Sequence, residues 1–321
     1  MLYTNNLKNR KYDKEFVSRW GFVVTGKGIM DITLYQQRLN LQSATFLRIE
    51  HDVAMVAIVY KVTQSNDSPR ILKICPRAED YFREIYFLTH FANKLAVPRI
   101  IQVVQPELGV NGAILMECLP GAPLKATDFT DELAYEIGSL LARIHLNRAA
   151  GYGDLTQPDG LRPDPRTYFT QKFEEGFAEC SNDLPKTLLE QCRRFYDTHI
   201  NLMISVDGPC MIHRDFRPTN IIVYKGRLQG IVDWAGGRAS FAQEDFCPIE
   251  HGEWPSYPSS KRSFLAGYAS IRPVPDYSAM MPLLRLGRAF AVIGFTIKRG
   301  TWQNSSARVY QFNRRFLETL L

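Results

Sequence analysis

Residues 45–63 and 70–75 are rich in Val, Ile, Leu and Thr, and the polar cluster Ser65-Asn66-Asp67-Ser68-Pro69 separates them. This pattern predicts an antiparallel strand pair joined by a polar turn. Tyr81, Ile85, Leu88 and Ala92 then recur at helical spacing, which predicts one amphipathic helix over about residues 78–94. Two short apolar runs come next, Ile100–Val104 and Ala113–Cys118, with Pro106, Gly109, Asn111 and Gly112 between them. Strands, one helix and further strands make a small antiparallel sheet with a helix laid on it.

The texture changes at Leu119-Pro120-Gly121-Ala122-Pro123, and the chain beyond it reads as mainly helical. Leu133, Ile137, Leu140, Leu141 and Ile144 form an apolar stripe, with Thr130 placed as N-cap and Asp131 and Glu132 in the first turn. A loop rich in Pro and Asp over 157–165 precedes helical segments at about 166–180 and 184–206. Residues 210–233 then read as strand, loop, strand, turn and strand, with Lys225-Gly226 as the hairpin turn. A loop from Ala235 to about Ser260 and two or three helices complete the pattern. The expected fold class is α+β in two lobes: 1–118 as the sheet-bearing lobe, and 119–321 as a larger helical lobe with an insert at about 151–208.

Chemistry concentrates in the segment Cys210–Trp234, C-M-I-H-R-D-F-R-P-T-N-I-I-V-Y-K-G-R-L-Q-G-I-V-D-W. Asp215 stands five residues before Asn220 and eighteen before Asp233, with apolar runs on both sides. A loop carboxylate can take the proton of an incoming hydroxyl, while an amide oxygen and a second carboxylate suit the hard magnesium ion. That combination is what phosphoryl transfer requires.

Composition narrows the setting. A chain of 321 residues with 45% hydrophobic and 22% charged positions has ordinary globular make-up and room for a large core. The net charge of +6 is mild, and no basic tract long enough for a nucleic-acid arm occurs. The six cysteines are scattered without a CxxC pair, which fits reduced thiols better than a disulfide framework. Cys247 and His251 have a ligand-like spacing without a second pair, an argument against zinc. The opening residues contain no apolar h-region, and the run Leu283–Ile297 is broken by Arg285 and Arg288. Neither pattern suggests a signal peptide or membrane span, so the expected location is cytoplasmic. Oligomeric state cannot be read from the chain.

The motifs H-R-D-F-R-P-T-N and I-V-D-W resemble those of the aminoglycoside phosphotransferase and choline kinase family, relatives of the protein kinases. The resemblance implies Asp215 as catalytic base, Asn220 and Asp233 as holders of Mg2+, and His213 as a structural residue of the loop. It further implies that Lys73, in I-L-K-I, contacts the phosphates of ATP or GTP and pairs with Glu84 on the following helix, Glu79 being a nearby rival. Met116-Glu117-Cys118-Leu119-Pro120-Gly121 matches the hinge, where main-chain atoms of Glu117 and Cys118 would meet the base. His145 and Asp245 fall at positions that are usually structural.

Three departures stand out: the glycine-free loop His51-Asp52-Val53-Ala54 where a phosphate-covering turn belongs, Arg214 in place of the usual glycine, and Trp-Ala-Gly-Gly after Asp233. Arg217 sits where protein kinases carry a lysine beside the transferred phosphate. The expected partners are a nucleotide and a small alcohol, of aminoglycoside, choline or other amino-alcohol type. Asp154, Glu174, Glu175, Glu250 and Glu253 are candidates for a cationic acceptor. The alternatives are a protein Ser/Thr kinase, disfavoured by the missing D-F-G and A-P-E, and a pseudokinase that binds nucleotide without catalysis.

Overall fold

The computed structural model describes residues 22–25, 28–49, 57–65, 67–125, 128–250 and 258–320. It divides into two compact units. The first runs through Pro120 and takes in Gly230–Ala235, and the second comprises Gly121–Gln229 and the residues from Gly236 onward.

In the first unit a short hairpin, β1 (Phe22–Thr25) and β2 (Gly28–Asp31), leads into helix α1 (Ile32–Arg38). The main sheet has five antiparallel strands: β3 (Thr45–Arg48), β4 (Ile58–Thr63), β5 (Arg70–Cys75), β6 (Ile100–Val104) and β7 (Gly112–Glu117). Their spatial order is β3-β4-β5-β7-β6. Because side chains alternate along a strand, Ile58, Tyr60 and Val62 of β4 and Leu72 and Ile74 of β5 share one buried cluster with Ile32, Tyr35, Leu39 and Leu41. Lys73 falls between Leu72 and Ile74 and so belongs to the other face, where helix α2 (Ala78–Phe91) lies.

The helix expected at 78–94 is present over 78–91, but its buried side is Asp80, Tyr81, Glu84, Phe87, Leu88 and Phe91, with Ile85 only half-buried. Apolar periodicity set the stripe slightly off because its central member, Glu84, is charged. Gly112 lets Tyr81 close on the sheet, since a Cβ there would lie 2.6 Å from the ring.

The second unit begins with β8 (Ala122–Pro123), which pairs with β10 (Ile221–Tyr224); β10 in turn neighbours β11 (Arg227–Ile231). A Cβ on Gly121, whose φ is +103°, would lie 2.0 Å from the Val223 carbonyl oxygen, so only glycine fits the turn into β8. Helix α3 (Asp131–His145) starts as expected, the Leu133 amide donating to the Thr130 hydroxyl at 3.1 Å. Helices α4 (Pro165–Cys180) and α5 (Lys186–His199) come after it, the latter running into a 3-10 turn over Ile200–Ser205. Strand β9 (Cys210–Ile212) pairs with β12 (Arg238–Ser240).

That last strand lies inside the stretch from Ala235 to Ser260 expected to be loop. Three residues are too few for a period, and only the partner strand makes them a strand. Three helices close the fold: α6 (Pro258–Ala269), α7 (Met281–Lys298) and α8 (Ala307–Thr319). Among the described residues no helix is long and apolar enough to cross a membrane. An antiparallel-sheet unit followed by a larger helical unit is the expected α+β class.

Candidate active site

In the first unit the pleat and the helix bring Lys73 and Glu84 together. Lys73 Nζ donates to Glu84 at 2.7 Å and to Asp233 Oδ1 at 2.7 Å. Lys73 and Glu84 are buried, while the Asp233 side chain keeps 44% of its surface exposed. Burial works against the Lys73 ammonium, but the Asp233 and Glu84 carboxylates outweigh it and hold the lysine above its ordinary range. Burial lifts the Glu84 carboxyl, a lift that Lys73 opposes and that the Trp234 backbone N–H opposes further. Glu79, the rival partner, is exposed on the first turn of α2. A buried pair of this kind contributes little net stability but penalises any change that strands one charge, so its effect is to fix where the ammonium sits.

Asp233 adopts φ +68°, in the left-handed region. The next side chain locks it in place: Trp234 is fully buried, its ring stacked on Phe87 at 5.3 Å and tilted against Phe91 at 5.0 Å. The Trp that distinguishes this chain from a D-F-G sequence therefore ties the Asp233 segment to α2. In the segment expected to serve as hinge, the Glu117 amide donates to the Arg99 carbonyl at 2.9 Å. Its N–H is thus spent within the sheet, and Cys118, just past β7, is half-buried.

In the second unit, β9 delivers His213, Arg214 and Asp215 onto a loop that ends in a 3-10 turn at Pro218–Asn220. The buried Asp245 carboxylate accepts the His213 amide at 2.7 Å, the Arg214 amide, and His145 Nε2 at 3.2 Å. His145 Nδ1 in turn lies 2.9 Å from the Tyr268 hydroxyl. Asp245 thereby holds two consecutive backbone N–H groups of the loop, an anchoring role that a residue-type pattern alone does not reveal. Arg214 has φ +68°, which explains why glycine is the usual occupant; an L-residue there is strained.

Asn220 Nδ2 donates to the Asp215 carbonyl at 2.9 Å and to Asp215 Oδ2 at 3.0 Å. The amide NH2 is therefore committed to the carboxylate, and the side-chain carbonyl oxygen is the end that suits a hard cation. Arg217 Nε forms an ion pair with Asp215 Oδ2 at 3.0 Å, though not in hydrogen-bond alignment, and Arg288 Nη2 lies 3.7 Å from Oδ1. Sequence reasoning misses Arg288, which lies on α7. It is remote along the chain, and nothing local marks it.

Magnesium takes oxygen ligands and retains waters and substrate phosphates in its shell, so one or two protein groups suffice. The Asn220 carbonyl oxygen and the Asp233 carboxylate are of the right chemistry for that. Among the described residues there is no group of three or more His, Cys, Asp or Glu side chains able to hold a metal without other ligands.

Three of the five acidic positions expected to meet a cationic acceptor form ion pairs. Glu174 pairs with Arg193, Glu175 with Lys172 at 2.7 Å, and Glu250 with Lys261 at 2.5 Å, while Asp154 accepts from Thr156 at 2.7 Å. Glu253, His251 and the loop His51–Ala54 lie outside the described residues.

Residues 57–280 match the model of a phosphotransferase enzyme family, APH. A homoserine kinase of Gluconobacter oxydans (strain 621H) is 28% identical over 204 residues, covering 61% of this chain and 61% of that protein. The match thus spans about three fifths of the relative's length. Among solved structures, aminoglycoside phosphotransferase APH(4)-Ia in ternary complex with AMP-PNP and hygromycin B superposes with a TM-score of 0.67 at 12% identity, over 89% of this chain and 97% of the other. The gentamicin–APH(2")-IIa complex gives 0.66 at 15%, over 92% and 97%. At these identities the two structures speak for the fold. The family match covers most of the chain, including the Lys73, Asp215, Asn220 and Asp233 segments, and the chain belongs to the phosphotransferase enzyme family.

Proposed function

We propose that the protein transfers the γ-phosphoryl group of ATP or GTP to a hydroxyl of a small molecule, with magnesium. The observation that carries this reading is a pair of constellations: Lys73 held between Glu84 and Asp233, and Asp215 held by Asn220. Lys73, oriented by Glu84, binds the nucleotide phosphates, and Glu117 and Cys118 meet the base through main-chain atoms. Asn220 and Asp233 hold the metal, which when bound neutralises charge on the phosphate oxygens. Asp215 accepts the acceptor hydroxyl's proton as its oxygen bonds to phosphorus. The bond from phosphorus to the bridging oxygen breaks, and the nucleoside diphosphate leaves with that electron pair. Arg217 contributes positive charge beside the transferring group.

The acceptor is a small alcohol. The names of the relatives point to amino alcohols, from an aminoglycoside to homoserine. Asp215→Asn keeps the shape and removes the base. Turnover with Mg·ATP or Mg·GTP and a panel of such alcohols is expected to fall by about 10²–10⁴ while nucleotide binding persists. Turnover equal to wild type would remove Asp215 from the chemistry. Turnover confined to peptide substrates would favour a protein kinase.

A further inference from the structure

The charge around Asp215 is lopsided. Among the described residues of this neighbourhood, four guanidiniums share two carboxylates. Asp215 lies between Arg217 at 3.0 Å and Arg288 at 3.7 Å. Glu244 accepts from Arg238 and lies 3.9 Å from Arg214, and its second oxygen is taken by the Ser240 hydroxyl at 2.6 Å. Arg238 is buried, its Nη2 on Glu244 and its guanidinium 4.8 Å from the Tyr168 ring, although its Nε has no hydrogen-bond partner among the described residues. Arg214 and Arg288 are the more open members, with 39% and 30% of their side chains exposed.

The repulsion within the group is felt at Arg214, whose guanidinium Arg238 above all holds below its ordinary range; Glu244 opposes the shift, and Arg288 adds to it. The next carboxylate, Glu250, is already held by Lys261. A polycation brought to this neighbourhood would add like charge to like, whereas an anion would relieve it.

We propose that the acceptor alcohol carries a carboxylate, received by the guanidiniums of Arg288 and Arg214 while its hydroxyl meets Asp215. Planar guanidinium forks match carboxylates in geometry as well as in charge. The proposal rests on the phosphotransferase reading and refines its acceptor. A nucleotide phosphate is the less suitable occupant. Lys73, assigned to the phosphates, belongs to the first unit, and Arg217 is the member of this group assigned to the transferring phosphoryl, which leaves Arg288 and Arg214, in the same unit as Asp215, for the acceptor.

The test uses the full chain, Mg·ATP and three matched pairs in which one member lacks only the carboxylate. These are homoserine with 3-aminopropan-1-ol, serine with ethanolamine, and glycerate with ethylene glycol; hygromycin B is added as a polycation. At least one carboxylated member is expected to exceed its partner in kcat/KM by roughly ten- to hundredfold. Arg288→Met is expected to shrink that ratio to within about threefold, and Arg288→Lys to retain part of it. Because the ratio is taken within one variant, a general loss of activity cancels.

No preference for any carboxylated member, or better use of hygromycin B, overturns the proposal. So does an Arg288→Met variant that shifts the KM for ATP as far as it shifts the acceptor ratio. If the wild type hydrolyses Mg·ATP without such a preference, only this proposal falls. If it neither binds nor hydrolyses Mg·ATP, the phosphotransferase reading falls with it.

Discussion

Asp245 shows how much one side chain can organise. Its carboxylate is buried, yet hydrogen bonding and charge from His145, the nearby His213 ring and the His213 amide together outweigh desolvation and hold it below the ordinary carboxylate range. A carboxyl depressed in the native state stabilises the fold fully above its unfolded value near 4, and that contribution is lost as pH falls through the lower native value. Wild-type unfolding free energy should therefore drop more steeply below about pH 4 than that of Asp245→Asn, and the variant should be weaker at pH 7 by about 2 kcal/mol. Urea titrations across pH would check both, and parallel acid profiles would contradict the account. Asp215 was legible by its spacing to Asn220, but the anchoring of its loop by Asp245 was not. A hydrogen bond donated by the His213 backbone N–H to a carboxylate 32 residues further along the chain leaves no pattern in the residues between.

Elements were legible where their period survived. Strands β5 and β7 and helices α2 and α3 lie where the pattern put them, whereas the run 45–63, read as one member of a strand pair, holds two strands, β3 and β4, paired antiparallel with each other. The contact between α3 and α6 depends on absences instead. A Cβ on Gly138 would lie 1.9 Å from the Phe264 carbonyl oxygen, and one on Gly267 would lie 2.0 Å from that of Tyr135. Backbone meets backbone there, so neither neighbour can yield by a rotamer change. Gly138→Ala should improve the intrinsic propensity of α3 by up to about 1 kcal/mol but lose more by forcing the helices apart. The expected net is a loss of about 1–3 kcal/mol, read from chemical denaturation. A stabilised variant would show that the helices part easily. Glycine within a helical stripe reads only as weakened propensity, and the reason for it lies on the other helix.

At the scale of the whole molecule, the two units hold different parts of the proposed chemistry. Lys73, Glu84, Asp233 and Trp234 fall in the first, and Asp215, Asn220, Arg217 and Arg288 in the second. The short segment Gly230–Ala235 returns to the first unit although the chain on both sides of it belongs to the second. Gly230 permits this: a Cβ there would meet the Ala96 carbonyl oxygen at 2.6 Å, and the following Ile231 amide donates to that oxygen at 3.0 Å. If the phosphates are bound through Lys73, Mg·ATP at about a hundred times its Kd should stabilise the protein by about 2.7 kcal/mol. Lys73→Met should lose most of that shift in scanning calorimetry, and an undiminished shift would place the nucleotide elsewhere.

The sequence by itself determined what depends on neighbours along the chain. That covers the strand and helix periods, the N-cap at Thr130, the Asp215–Asn220–Asp233 spacing and, through it, the family. Tertiary structure alone decided that Asp245 holds the loop through two backbone N–H groups and that Arg288 lies beside Asp215, whereas the Lys73–Glu84 pair is the one the family resemblance implied. The division has a physical cause. Backbone propensity and side-chain period act over a few residues, whereas electrostatics and packing act over a few ångströms, whatever the separation along the chain.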